Sequence, residues 1–140
     1  MNIKVRDIMV KQVVTSHPYK TVGHIKGIMK RNKIHSVPLI NSDNEIEGII
    51  TSNDLVRDLS DDTLVRLVMT KKVYTIPKYA DIHKAARLML NYKIHHLVVT
   101  HEQKIVGLLS SFDLLKLMDD YRFVAKNPPT PSKKQRVLEV

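Results

Sequence analysis

Apolar residues in the first half of the chain change their spacing several times, and each change marks an element. Val22, Ile25, Ile28 and Met29 recur at helical intervals behind Thr21, a residue suited to cap a helix N-terminus. Ahead of them, Arg6-Asp7-Ile8-Met9 reads as a short helical turn, and Val13-Val14-Thr15 as a brief β-prone run ended by His17-Pro18. Further on, Ile34 to Ile40 and Ile46 to Ile50 are short apolar runs joined by Asn41-Ser42-Asp43-Asn44, which predicts a hairpin. Leu55 to Leu59 then starts an amphipathic helix. The predicted order is β-α-β-β-α.

The same order follows a second time. Val5, Arg6, Met9, Lys11, Val13, Thr15, Tyr19, Met29, Lys33, Ile34 and His35 each recur as the identical residue sixty positions on. After one deletion the register becomes fifty-nine, and Ile46, Gly48, Ser52, Asp54 and Leu55 recur as Ile105, Gly107, Ser111, Asp113 and Leu114. In the copy, Asp81 stands where Thr21 does, Ile82, Ala85, Ala86 and Met89 form the helical stripe, and His95 to Thr100 with Lys104 to Leu109 form the hairpin. Leu114 to Met118 starts the closing helix. Units this small do not close a core alone, so two of them should pack about a pseudo-twofold axis as a mixed α/β (α+β) module. The repeats divide as residues 1–60 and 61–121, joined by the short polar stretch Leu59-Ser60-Asp61-Asp62-Thr63.

Charge and composition narrow the class. No apolar run approaches the roughly 20 residues of a membrane span, and the first residues lack an apolar leader core, so a cytoplasmic protein is expected. The absence of cysteine excludes disulfides, thiolate metal sites and cysteine nucleophiles. The net charge of +9 is unevenly spread: net +3 over residues 1–60, +2 over 61–121 and +4 over 122–140. That last segment, rich in proline at Pro128, Pro129 and Pro131, reads as an extended or disordered basic tail.

The pattern with chemical content is Gly48-Ile49-Ile50-Thr51-Ser52-Asn53-Asp54, repeated as Gly107-Leu108-Leu109-Ser110-Ser111-Phe112-Asp113. An apolar strand ends in a hydroxyl residue, and three positions later an aspartate opens a helix. This spacing suits a capping box, in which side chains satisfy free amides of the first turn. The same geometry suits a ligand: a helix start favours phosphate, and a carboxylate beside it can accept from a pair of sugar hydroxyls. The two uses are compatible.

The β-α-β-β-α unit, the opening Val-Arg-x-x-Met turn, the Lys-Ile-His strand and the closing Gly-x-x-Ser/Thr-x-x-Asp together resemble the CBS domain, named for cystathionine β-synthase. The resemblance covers residues 5 to 121. It implies a stand-alone regulatory, non-enzymatic tandem pair whose two clefts bind AMP, ADP or ATP in the manner of an energy sensor, with S-adenosylmethionine as a further candidate and no obligatory cofactor. By the same resemblance Asp54 and Asp113 are the ribose ligands, and Thr51 and Ser110 contact ribose or phosphate. Ile34, His35 and Ser36, and their copies Ile94, His95 and His96, line the clefts toward phosphate. Thr15, and in the copy Thr75 with Ile76 and Pro77, fall where the family holds adenine. Homodimerisation through helices 22–31, 55–59, 82–92 and 114–121 is also implied, as is an effector protein that the sequence does not name.

This chain departs from the family at several positions. The arginine that often follows the histidine is Ser36 in one half and His96 in the other, Pro38 becomes Val98, and Asp7 becomes Leu67. The site containing Asp113 is therefore expected to bind better, with His95 and His96 supplying positive charge near neutral pH and affinity falling as pH rises. A metal centre is not expected: adjacent His95 and His96 on a strand face opposite ways, and two imidazoles fall short of a zinc ligand set. Neither is catalysis, because no nucleophile with an oriented base stands near Asp54 or Asp113. The alternative from another class is a nucleic-acid or partner-binding protein that uses the basic surface and the tail's Lys133, Lys134 and Arg136, against which stands the scarcity of stacking aromatics.

Overall fold

A computed structural model describes residues 2–120 of the chain. The basic tail read as extended lies outside those residues. The elements in order are α1 (Val5–Ile8), α2 (Val22–Asn32), β1 (Ser36–Ile40), β2 (Ile46–Thr51), β3 (Thr75–Pro77), α3 (Ile82–Tyr92), β4 (His96–His101), β5 (Lys104–Ser110) and α4 (Ser111–Asp120). Among the described residues no helix is long and apolar enough to cross a membrane.

Local chemistry explains most of the boundaries. Thr21 Oγ1 accepts from the His24 N–H at 3.2 Å and starts α2. Lys33 and Lys93, both left-handed at φ 53° and 54°, end α2 and α3 in the same way. Asn41 Oδ1 accepts from the amides of Asp43 and Glu45, both at 2.9 Å, and Asn44 turns back at φ 66°, which closes the first hairpin. The second hairpin turns on Glu102 and Gln103, both at positive φ. β1 and β2 pair antiparallel, and β3, β4 and β5 form a second sheet in that order.

The predicted order is complete in the second repeat and shortened at both ends in the first. Val13 to Thr15 form no strand, and only an isolated parallel bridge, Ser16 to Leu39, marks its place. In the second repeat the Val98 N–H donates to the Tyr74 carbonyl at 3.1 Å. Its counterpart is Pro38, which has no N–H to give. The helix expected from Leu55 to Leu59 is also absent, replaced by one 3₁₀ turn at Asn53–Leu55. In α4, Leu114 and Leu117 both pack on the core; Leu55 packs as Leu114 does, but Asp58 stands where Leu117 does, and the next residues turn back to α2, where the Asp61 and Thr63 carbonyls accept from Gly23 and Val22. A third departure is Asp81, which makes no cap bond: Lys4 Nζ lies 2.6 Å from its carboxylate, and that hydrogen bond, followed by the pair's attraction, holds the carboxyl below its usual range.

Two cores sit one in each repeat, and each is completed by the other. Ile25, Met29, Val37, Leu39 and Ile50 pack around Val65, which opens the second repeat. Ile76, Ala85, Met89, Leu97, Val99 and Leu109 pack around Val5, which opens the first. Backbone bonds follow the same exchange. Val5 and Arg6 donate to Ala80 and Lys78, while Val65 and Arg66 donate to Lys20 and Pro18. Val10 pairs with Leu108 in both directions, and Thr70 pairs with Ile49. A third cluster, Ile40, Ile49, Val98 and Ile105, fills the seam between the repeats.

The exchange explains two of the glycines. A Cβ on Gly107 would lie 3.2 Å from the Val10 carbonyl and 2.9 Å from Met9 Cγ; on Gly48 it would lie 3.1 Å from the Thr70 carbonyl and 2.6 Å from Met69 Sδ. Gly107→Val is expected to push the opening turn of the first repeat off β5 and to cost about 1–3 kcal/mol, read from the denaturant midpoint at unchanged slope. Wild-type stability in that variant would mean the close approach is not needed.

Candidate functional site

The exchange also decides how the clefts are built. One cleft, of about 410 Å³, takes Val10, Gln12, Val13 and Val14 from the opening segment and Ile34, His35 and Ser36 from the start of β1. Its other wall is Leu108, Ser110, Ser111, Phe112 and Asp113 from the second repeat. The other cleft, of about 460 Å³, takes Thr70, Lys72, Val73 and Tyr74 with Lys93 and Ile94, and closes on Ile49, Thr51, Ser52 and Asn53 from the first repeat. Sixty positions relate the first groups and fifty-nine the second. The two clefts are therefore pseudo-symmetric, and each combines the closing motif of one repeat with the opening segment of the other. His35, His95 and His96 line both.

Both aspartates make the cap bonds that their spacing predicts. Asp113 Oδ2 accepts from the Ser110 N–H at 2.9 Å, and the Asp113 N–H donates to Ser110 Oγ at 3.2 Å. Asp54 Oδ2 accepts from the Thr51 N–H at 2.9 Å and from its hydroxyl at 3.1 Å. The Thr51 hydroxyl thus adds a bond to the carboxylate, while the bond it accepts from the Asp54 N–H is longer, 3.4 Å. Asp113 lines its cleft and Asp54 does not.

The histidines are placed by serines that follow the strand-end hydroxyls. Ser52 Oγ lies 3.1 Å from His35 Nδ1, and Ser111 Oγ lies 3.5 Å from His95 Nδ1. The Ser52 and Ser111 amides donate to the carbonyls of His35 and His95, both at 2.8 Å. These serines recur in the fifty-nine register, which was the signal that could have singled them out. Val13 recurs as Val73 in the sixty register.

His96 departs from the expectation of a positive charge near neutral pH. Burial pushes it below its ordinary value near 6.5, the neighbouring His95 and His35 push the same way, and Asp113 opposes them. Without ligand its imidazole is neutral at pH 7. Because folding lowers this value, the unfolded chain binds more protons between the two, so His96 makes its full contribution to stability above pH 6.5 and loses it as pH falls through the folded value. His96→Gln is expected to flatten the loss of melting temperature between about pH 7 and pH 5. An unchanged slope would show that other groups set it.

The remaining sequence candidates lie elsewhere. Ile76 is fully buried in the second core, Thr75 and Pro77 are exposed, and Thr15 is half-buried outside both clefts. β3 runs parallel to β4, so its alternating side chains put Ile76 inward and its neighbours out. The residues that reach the clefts are the ones just before them, Val13 and Val14 in one half and Val73 and Tyr74 in the other. Among the described residues no group of three or more histidine or acidic side chains is arranged to hold a metal ion.

Two repeats that complete each other's cores and leave a pair of clefts at their seam define a tandem-repeat module. The CBS domain family matches residues 5–61 and again 65–120, and the chain belongs to that family. It is 33% identical over 86% of its length to a homoserine O-acetyltransferase of Methanosalsum zhilinae, of which it spans 25%. It spans less than half of each of the first curated relatives it matches. Among solved structures, the CBS domain pair of protein MJ0100 in complex with 5′-methylthioadenosine and S-adenosyl-L-methionine is 26% identical, with a TM-score of 0.76 over 82% of this chain and 98% of that one. The CBS-domain containing protein ATU1752 from Agrobacterium tumefaciens is also 26% identical, with a TM-score of 0.75 over 83% and 93%.

Proposed function

We propose that this chain is a regulatory module of the cytoplasm that binds adenosine-based ligands, AMP, ADP, ATP or S-adenosylmethionine, in its seam clefts and passes the state of binding to a partner protein as in energy sensing. The observation that supports this best is the composite build of each cleft. A ligand that bridges the opening segment of one repeat and the closing motif of the other touches both halves at once. It stabilises one arrangement of the repeats to the extent that it binds that arrangement better. Asp113, beside a cap hydroxyl at the start of α4, is placed to accept from a ribose diol. The adenosine derivatives held by protein MJ0100 belong to the same ligand class.

The test is thermal stabilisation by AMP, ADP, ATP and S-adenosylmethionine, followed by calorimetry. Ligand at about 100 times its dissociation constant adds about 2.7 kcal/mol to stability. No stabilisation by any of the four would refute the reading.

The same proposal includes self-association, through the helices of the second repeat. Leu90 of α3 and Leu115 and Met118 of α4 are 77%, 65% and 60% exposed. The same stretch of α2 carries Lys26, Lys30 and Arg31, and the first repeat has no closing helix. The dimer surface is thus centred on α3 and α4. Leu115→Asp is expected to convert the dimer to a monomer by light scattering without lowering the melting temperature of the monomer.

A further inference from the structure

The two clefts share one skeleton, so the positions where they differ carry information about what each accepts. The three seam histidines line both and cancel from the comparison. Lys72 and Lys93 line only the Thr51 cleft. The counterpart of Lys72 is Gln12, an uncharged amide in the Asp113 cleft. The counterpart of Lys93 is Lys33, which lines an adjoining groove that meets the Asp113 cleft at Ile34 and His35 but is not among that cleft's lining residues. Lys72 is also held in place: its ammonium sits 5.6 Å from the Tyr74 ring, which in turn stacks on Tyr92 at 4.5 Å. Val14 stands where Tyr74 does. The acidic side is opposite, since Asp113 lines its cleft while Asp54 lies outside the lining of the other.

We propose that the clefts sort ligands by charge: the Thr51 cleft takes the polyphosphate of an anionic nucleotide, and the Asp113 cleft takes an uncharged or cationic adenosine derivative. The nucleoside half of this assignment rests on the function proposed above; the anion half does not. Two ammonium groups attract a polyphosphate through charge-assisted hydrogen bonds, and a carboxylate in the other cleft repels it while accepting from neutral hydroxyls. The stronger phosphate site is thus the one without Asp113, opposite to the expectation that His95 and His96 favour the Asp113 site when each repeat is read alone.

The experiment uses the full chain and three probes: inorganic tripolyphosphate, ATP and adenosine. By calorimetry, Lys72→Gln combined with Lys93→Gln should weaken tripolyphosphate and ATP by about tenfold or more and leave adenosine unchanged. Gln12→Lys should create a second tripolyphosphate site in the Asp113 cleft. Both sets of side chains are at the surface, and matching thermal melts establish that the variants are folded. Tripolyphosphate affinity in the double lysine variant within roughly twofold of wild type would overturn the proposal. Lysine-dependent tripolyphosphate binding with no affinity for adenosine, and none for ATP beyond its phosphates, would leave the anion site standing and remove the adenosine reading. No binding of any probe would overturn both.

Discussion

Separated by a cut after Leu59, the two halves of the chain are expected to lose cooperative folding on their own and to regain it on mixing. The first half would keep its hairpin and α2 but lose Val65, a fully buried residue of its core, worth about 2 kcal/mol of burial. Around that core it would also lose six of the twelve backbone hydrogen bonds that cross the cut among the described residues: Val22 to Thr63, Gly23 to Asp61, Val65 to Lys20, Arg66 to Pro18, and the reciprocal pair of Ile49 and Thr70. At about 1 kcal/mol each, that is about 6 kcal/mol, comparable to the whole stability of a small domain. The second half would lose Val5 from its core and the Val10 pairing from β5. Amide spectra of the fragments, apart and mixed, are the measurement. A cooperative thermal transition from residues 1–59 alone would sink the expectation.

Asp113→Ala is expected to abolish nucleoside binding in its cleft while the protein stays folded. In the proposed complex the carboxylate accepts from the ribose diol, and two charge-assisted hydrogen bonds at about 1.5 kcal/mol or more each correspond to a loss on the order of a hundredfold in affinity. The cap bond to Ser110 goes with it, at about 1 kcal/mol, or a few degrees of melting temperature. Asp54→Ala supplies the comparison. It removes the same kind of cap from a residue outside its cleft's lining, so it should lower stability similarly and leave adenosine binding intact. Equal adenosine affinity in wild type and Asp113→Ala would show that the aspartate only caps.

Much of the fold could be read from the chain because its determinants are local. The hairpin between β1 and β2 depends on Asn41 bonding its own turn, and α2 depends on Thr21 three residues from its donor. Where a determinant sits on another strand, the local reading fails. Val13 to Thr15 is β-prone, yet the bond that would extend it is withheld by Pro38. Leu55 to Leu59 has helical spacing, yet the following residues are needed against Gly23 and Val22. The candidate site divides along the same line. Asp113 and Ser110 follow from motif spacing and His35 from the family resemblance, and all three line one cleft. That His35 faces Asp113 across the seam, with Thr51 meeting Ile94, is a matter of which copy each strand meets, and a repeat period carries no such information.

The exchange of opening turns has a consequence for how the two copies can diverge. In a duplicated gene, a cleft contained within one copy would drift as a block. Here every cleft is a mosaic of both copies, so the change that distinguishes Gln12 from Lys72 alters one binding surface and leaves the other as it was. His35, His95 and His96 are the exception: each faces both cavities, and a substitution there is inherited by both at once. Selection can tune the lysines cleft by cleft, but it must accept or reject the histidines for the pair.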